Sequence, residues 1–171
     1  SNTANTPIES VEADHPLIVE KFALVPDSGG PGKYRGGLAY TREIRVLADE
    51  ATFHLRSDRH DFPTWGVEGG KPGTPIENYI NPDTNPDQVP PKLLTTLKKE
   101  DLYRLIQAGA GGYGDPLERE LDSILDDVEQ EKLTVGHVRR EYGVVVDPDT
   151  LQVDLRATEE LRTSMRASQG G

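Results

Sequence analysis

The chain has 171 residues, of which 34% are hydrophobic and 29% charged, and its formal net charge is −11. The length suits one domain with a modest core, and the acidic excess argues against nucleic acids and anionic membranes, which are bound through Lys and Arg. No cysteine is present, which excludes disulfides and thiolate metal sites, and no apolar run approaches the length of a membrane span. We therefore expect a cytoplasmic protein with no nucleic acid and no membrane partner.

The chain opens with residues 1–14, which show neither an initiator methionine nor an apolar period. They predict a polar lead-in loop, and they suggest that the chain is a segment of a longer natural protein. We expect residues 1–171 to form a single domain or segment.

Short runs of alternating apolar and polar residues follow, as is typical of strands with one buried face. We expect residues 48–50 to connect the second and third runs as a hairpin. The spacing predicts an α+β fold, in which a β-rich sandwich or barrel-like domain over about residues 15–108 precedes two or three short C-terminal helices. The predicted strands are 17–25, 38–47, 51–58, 77–81, 92–97 and 101–107.

The last third of the chain, residues 115–167, has helical periodicity instead. Asp115 and Pro116 are typical of a helix start, and apolar residues then recur on one helical face as far as Val128. A second helix is predicted from a Thr134 cap to a stop at Gly143, and a third over about 158–166.

Three glycine-rich segments, residues 27–37, 65–73 and 108–116, combine glycine with charged or aromatic residues, which linkers lack. The first could be a phosphate-binding loop with positive charge from Lys33 or Arg35. We favour a turn in which Arg35 pairs with Asp27 or another nearby carboxylate, because no helix follows as in a phosphate-binding motif. The residues assigned to structural glycine turns are Asp27, Gly29, Gly30, Gly32, Arg35, Gly36, Gly37, Gly111, Gly112, Gly114 and Asp115.

The densest polar cluster is residues 56–61. Asp58, His60 and Asp61 could ligate a metal ion, but the two neighbouring arginines disfavour a cation. We favour a salt-bridged strand end with Trp65 covering the core. No complete catalytic site is visible in this chain.

Five motifs follow one another in fixed order along the chain. They are Asn5-Thr6-Pro7 with Glu9, the glycine run 27–37, Arg59 with Pro63 and Trp65-Gly66, the run 111–116, and Tyr142-Gly143. Each motif alone is weak, but the ordered set is specific and spans nearly the whole chain. The set resembles the C-terminal part of the hydantoinase B/oxoprolinase family, which provides the hydrolytic B component or B half of ATP-dependent hydantoinases and 5-oxoprolinases.

The resemblance implies a two-component reaction. An A component binds ATP and phosphorylates the oxygen of a cyclic amide, and the B component hydrolyses the activated ring. The divalent metal is expected in the region of the B component that precedes this chain, so no metal ligand and no cofactor is assigned to this segment. The implied partners are a hydantoinase A-like ATP-binding subunit or domain, the remainder of the B component and a small cyclic amide substrate.

The candidate residues near substrate are Asn5, Thr6 and Glu9, because they lie in the polar stretch that would join the catalytic part. Arg59 and Trp65 are candidates for positioning that stretch or for a subunit contact. We expect the isolated segment to be inactive. Two alternatives stay open: a segment of an acetone or acetophenone carboxylase-type subunit, and a non-catalytic interaction module from a split gene.

Overall fold

The structure is a computed structural model that describes residues 5–169. It confirms the predicted α+β class, with antiparallel strand pairing followed by helices. Within the described residues, no helix is both long and apolar enough to cross a membrane. The elements are α1 Ile8–Asp14, β1 Leu17–Leu24, β2 Tyr40–Val46, β3 Glu50–Arg56, β4 Glu77–Ile80, β5 Lys92–Lys98, β6 Leu102–Ile106, a 3-10 helix Pro116–Glu118, α2 Leu121–Glu129, α3 Val135–Tyr142 and α4 Leu155–Gln169.

The residues cluster into two compact units that alternate along the sequence. The strand unit contains the described residues up to 23 together with 40–60 and 76–107. The glycine–helix unit contains 24–39, 61–75 and the described residues from 108 onward. The three glycine-rich segments therefore belong to the same unit as α2, α3 and α4.

The strand unit contains a four-stranded sheet of order β1-β2-β6-β4 and a two-stranded sheet of β3 and β5. Its core is formed by Val46, Leu55, Leu97 and Tyr103. The predicted hairpin between the second and third strands is wrong, because β2 pairs with β6 and β3 pairs with β5.

Residues 47–49 bend the chain from one sheet into the other instead of reversing it. The opposite strand bends at the same place, where the amide of Lys99 donates to the carbonyl of Asp49 and that of Val46 to Asp101. A bend and a turn have the same polar composition, so alternation alone does not tell them apart.

The glycine–helix unit has a helical core of its own, in which Ile124, Leu133, Val138, Tyr142 and Val144 are almost fully buried. The prediction of α3 is confirmed: the hydroxyl of Thr134 accepts from the amide of His137, and Gly143 ends the helix in the left-handed conformation.

Three other helical predictions need correction. Residues 8–14, expected in a loop, form α1, in which Glu12 accepts a hydrogen bond from the amide of Val19. The helix expected to run from Pro116 to Val128 is interrupted, because Arg119 and Glu120 have extended backbone. The last helix begins at Leu155, three residues earlier than expected, with Asp154 accepting from the amide of Ala157.

The three glycine-rich segments are hydrogen-bonded to one another through their backbones. Gly30 donates to the carbonyl of Ala110 at 2.8 Å, Lys71 to Pro31 at 2.7 Å, and Gly112 to Lys71 at 3.0 Å. A Cβ atom on Gly30 would lie less than 3.0 Å from backbone atoms of both other segments, closer than real Cβ atoms come. We call this arrangement the glycine layer.

We predict that Gly30→Ala lowers the free energy of unfolding by about 2–3 kcal/mol, because backbone atoms of two segments would have to move. Gly136→Ala is the matched control, since nothing lies within 4 Å of its added Cβ and the position is in α3. The control should keep or slightly raise stability, because Ala favours helix. Urea unfolding followed by circular dichroism measures both, and equal stability of the two variants would contradict the close packing.

Candidate functional site

The most buried charged cluster of the glycine–helix unit surrounds Asp127. Arg35 donates from Nε to Oδ2 of Asp127 at 2.9 Å and from Nη2 to Oδ1 at 3.1 Å, and Arg119 donates to Oδ2 at 2.8 Å. The side chains of Asp127, Arg35 and Arg119 are only 7%, 14% and 12% exposed. The partner of Arg35 is therefore a carboxylate 92 residues away in sequence and not Asp27.

This cluster fixes the first glycine segment to the helices. Arg119 also donates to the carbonyl of Lys33, and the ammonium group of Lys33 lies 3.2 Å from Glu118. Burial alone would raise the pKa of Asp127, but the hydrogen bonds and charges of Arg35 and Arg119 outweigh it and hold the pKa below its ordinary value.

A second polar group joins the first segment to the start of α3. Asp27 has φ 62° and accepts hydrogen bonds from the amide and the hydroxyl of Thr134, both at 2.7 Å. Asp27 Oδ1 also lies 3.9 Å from Nδ1 of His137, whose side chain is 9% exposed. Asp27 thus positions the residue that caps α3.

An open pocket of about 250 Å³ lies in the same unit, between the first two glycine segments and α3. Two of its charged residues form a pair, in which Lys71 donates to Glu141 at 2.8 Å, and Asp27 faces the His137 ring. Burial lowers the pKa of His137, and Nε2 of this ring has no hydrogen-bond partner among the described residues. Burial opposes the ionisation of Glu141, but the bond and charge of Lys71 lower its pKa overall. The pocket is lined by Asp27, Ser28, Gly29, Pro31, Lys71, Pro72, Gly73, Thr74, His137 and Glu141.

Several amides of the first glycine segment are already used in backbone hydrogen bonds. The amides of Gly30, Tyr34 and Gly36 donate to the carbonyls of Ala110, Tyr113 and Gly30. A phosphate could accept from these three amides only if their present bonds were broken, and the assignment of the segment as a structural turn stays a prediction.

The candidates at the chain start lie on the surface of the strand unit. Asn5 and Thr6 precede α1, Glu9 lies in its first turn, and all three are exposed. Arg59 is exposed as well, with φ 69°, and its carbonyl accepts from the amide of Ile76. These residues stay candidates for substrate proximity or positioning.

The remaining predicted residues have clear local surroundings. Trp65 belongs to the glycine–helix unit and is 69% exposed, so the prediction that it covers the core is wrong. Its carbonyl packs against Gly111. Asp115 accepts from the amide of Leu117 at 2.8 Å and caps the 3-10 helix. In the polar cluster, Arg56 contacts His54. No group of three or more His, Asp or Glu side chains in residues 5–169 could hold a metal ion.

The sequence analysis missed Asp127, His137, Lys71 and Glu141. One signal was present: Asp127 lies between the buried positions Ile124 and Val128 of α2, and a carboxylate on an apolar helix face needs a partner. For Lys71 and Glu141 no local signal exists, because exposed charges are common in any sequence.

Comparison with known proteins identifies the family. The family model of hydantoinase B/oxoprolinase matches residues 1–116. The chain belongs to the hydantoinase B/oxoprolinase family. It is 37% identical over 160 residues to an uncharacterized protein of Methanocaldococcus jannaschii, covering 92% of this chain and 28% of that protein. It is 34% identical over 165 residues to the B component of a putative D-/L-hydantoinase of Pseudomonas sp. strain NS671, covering 95% of this chain and 28% of that protein.

Relatives of another chemistry and two solved structures extend the comparison. The acetone carboxylase alpha subunit of Xanthobacter autotrophicus is 27% identical, with 81% of this chain and 22% of that protein covered. The crystal structure of the ATP-dependent caprolactamase from Pseudomonas jessenii matches 93% of this chain and 28% of its own, with a TM-score of 0.78 and 26% identity. An acetone carboxylase structure, which is 23% identical, shares the fold with a TM-score of 0.76. The match covers 98% of this chain and 27% of the acetone carboxylase chain. This family member thus spans under a third of the length of its relatives.

We predict that Asp127→Ala lowers the free energy of unfolding by about 3–5 kcal/mol, because Arg35 and Arg119 would stay buried without a counter-charge. Glu160→Ala is the control, since it removes an exposed i,i+4 partner of Arg156 and should leave stability unchanged. Chemical denaturation at neutral pH measures both. A loss no larger than that of the control would show that the cluster does not stabilise the unit.

We also predict a pH dependence that comes from His137. Its folded-state pKa lies below the ordinary value of about 6.5, so the unfolded chain binds more protons as the pH falls. This contribution is fully present above about pH 6.5 and is lost as the pH decreases toward the folded-state pKa. His137→Gln should reduce the decline in stability between pH 7 and 5, and the exposed-site control His54→Gln should keep it. Identical profiles for wild type and His137→Gln would refute this assignment.

Proposed function

We propose that this chain is the C-terminal segment of the hydrolytic B component of an ATP-dependent cyclic amide hydrolase of the hydantoinase or 5-oxoprolinase type. The observation that carries the proposal is family membership, together with 34% identity to the B component of a putative hydantoinase over 95% of the chain. The similarity to the ATP-dependent caprolactamase supports the same class, because caprolactam is a cyclic amide.

The reaction explains why ATP is needed. Resonance makes an amide carbonyl a poor electrophile, and phosphorylation of its oxygen in the A component would make the ring carbon accept water. Water then adds to that carbon, and the ring C–N bond breaks as the nitrogen takes up a proton. Hydrolysis of the resulting acyl phosphate by a second water releases inorganic phosphate and the ring-opened acid. Only interactions that are stronger in the transition state of this step than in the bound substrate accelerate it. ATP would be held by the partner and a divalent metal by the preceding region.

The role of this segment in the reaction would be structural. The charged side chains of its pocket and its buried cluster bind one another, as shown by the Lys71–Glu141 and Arg35–Asp127 pairs. Groups engaged in this way hold the glycine layer in place. Asn5, Thr6 and Glu9 are the residues that we assign nearest to substrate, and Arg59 and Trp65 would position them or contact a partner.

A second candidate function is a segment of a ketone carboxylase subunit. The 27% identity to an acetone carboxylase alpha subunit favours it. A carboxylase would use the same activation by phosphoryl transfer but would need bicarbonate as a co-substrate, which a cyclic amide hydrolase does not.

We predict that the full-length B component, mixed with its ATP-binding partner, releases phosphate from ATP faster when a cyclic amide is added. The substrates to compare are 5-oxoproline, hydantoins, caprolactam and acetone, each with and without bicarbonate. Stimulation by a cyclic amide without bicarbonate supports the proposal. Stimulation by acetone that requires bicarbonate would assign the chain to the carboxylases, and no stimulation by any substrate would overturn both functions.

The control for this experiment is the chain of residues 1–171 in place of the full-length B component. With partner, ATP and divalent metal present, it should open no ring, because the region expected to hold the metal is missing. Ring opening by this chain would contradict the structural role that we assign to it.

A further inference from the structure

Several large apolar or aromatic side chains of the glycine–helix unit are exposed to solvent, and four of them come from the three glycine-rich segments. Tyr34, Trp65, Val67 and Tyr113 are 64%, 69%, 47% and 51% exposed, although each comes from or adjoins a buried glycine segment. We call these four residues the aromatic face. Single exposed apolar residues are ordinary, but a contiguous set is typical of an interaction surface.

The backbone geometry places three of these side chains on one surface. Tyr34 and Tyr113 form an antiparallel bridge, and Val67 and Tyr113 form a parallel one. Bridged residues direct their side chains to the same side of a sheet, and the rings of Tyr34 and Tyr113 have centroids 6.2 Å apart. Trp65 lies two residues before Val67 in the same segment and is 69% exposed, so we include it as a neighbour of this surface.

The opposite side of the layer is already occupied. Lys33 and Arg35, the two neighbours of Tyr34, pair with Glu118 and Asp127 of the helical part. Tyr34 therefore projects away from the helices.

We propose that the aromatic face is the docking surface for the remainder of the B polypeptide, which would present apolar side chains to it. This proposal rests on the proposed function, in which the chain is a segment of the B component. The matching fold occupies 28% of the caprolactamase chain, so most of that chain lies outside the region that matches residues of this protein. Contacts inside one polypeptide are permanent, and permanent interfaces are rich in aromatic and apolar residues.

The charge of the chain argues against a second copy as the occupant. Two chains of net charge −11 would repel one another on self-association, and Glu68 directly follows Val67 at the edge of the face. A transient contact with the ATP-binding partner is also disfavoured, because such contacts are more polar and none of the four side chains is charged.

The test is hydroxyl-radical footprinting of the full-length B component with mass spectrometry, without ATP or substrate. Each residue is compared with itself in the urea-unfolded protein. Tyr34 and Tyr113 are more than half exposed, so an open face would lower their oxidation about twofold or less relative to the unfolded protein. A covered face would lower it at least about fivefold. Fivefold protection in the B component alone, independent of dilution, is the expected result.

Three results would overturn the proposal: protection that appears only when the ATP-binding partner is added, protection that disappears on dilution, and no protection beyond twofold. Because the measurement needs no turnover, it is independent of whether the substrate is a lactam or a ketone. The ATP-hydrolysis experiment can therefore contradict the proposed function while the footprint supports docking. The opposite combination of results is also distinguishable.

A matched pair of variants in the full-length B component gives a second readout. Tyr34→Ser combined with Tyr113→Ser should raise the rate of limited proteolysis about tenfold, because a docked surface loses its anchors. Leu155→Ser is the control, since Leu155 is 66% exposed on α4 of the same unit but lies outside the aromatic face. Equal proteolysis rates for wild type and the double variant would contradict docking at this face.

Discussion

The close approach of three backbones in the glycine layer is the constraint on which the glycine–helix unit depends. A Cβ on Gly109 would collide with the carbonyl of Ser28, and one on Gly112 with that of Pro31. Segments this close hold almost no side chains between them, so they bury little apolar surface and gain little hydrophobic free energy. Backbone hydrogen bonds between the three segments provide partners for their amides and carbonyls but contribute only modest net stability.

The stability of the unit therefore has to come from neighbouring groups. The helical core around Val138 and Tyr142 supplies the apolar burial. Charged pairs join the layer to that core, with Arg35 to Asp127 for the first segment and Lys71 to Glu141 for the second. The third segment runs directly into the 3-10 helix capped by Asp115. The side chains best suited to chemistry in these segments are thus engaged in holding the layer.

The local structure was predictable to the extent that it follows from local physics. The six strands and α3 were expected within a few residues, because alternation and capping act over short distances. The pairing of β2 with β6 was not, since strand partners are set by bends that resemble turns in sequence. Helix α1 was missed because its seven residues contain only two large apolar side chains, Ile8 and Val11, which are too few to define a helical period.

The candidate site was less predictable than the fold, for a related reason. The glycine segments were recognisable by composition, but their contacts with one another are long-range. The Arg35–Asp127 pair joins residues 92 positions apart. Only the position of Asp127 on an apolar helix face indicated a buried ion pair, and even this signal did not identify its partner. Composition therefore indicates that a segment is special, and topology decides what it contacts.

The fold itself cannot select between amide hydrolysis and ketone carboxylation, because the caprolactamase and the acetone carboxylase structures match it almost equally well. Function resides in sites and not in folds. In the strand unit, the part best able to vary is the loop of residues 81–91. Asn81 fixes its first end by bonds to Asp101 and to the amide of Leu102, and the amide of Val89 fixes its other end by donating to Asn78. Residues 83–88 between these anchors are exposed, so their length and charge can change without disturbing either sheet.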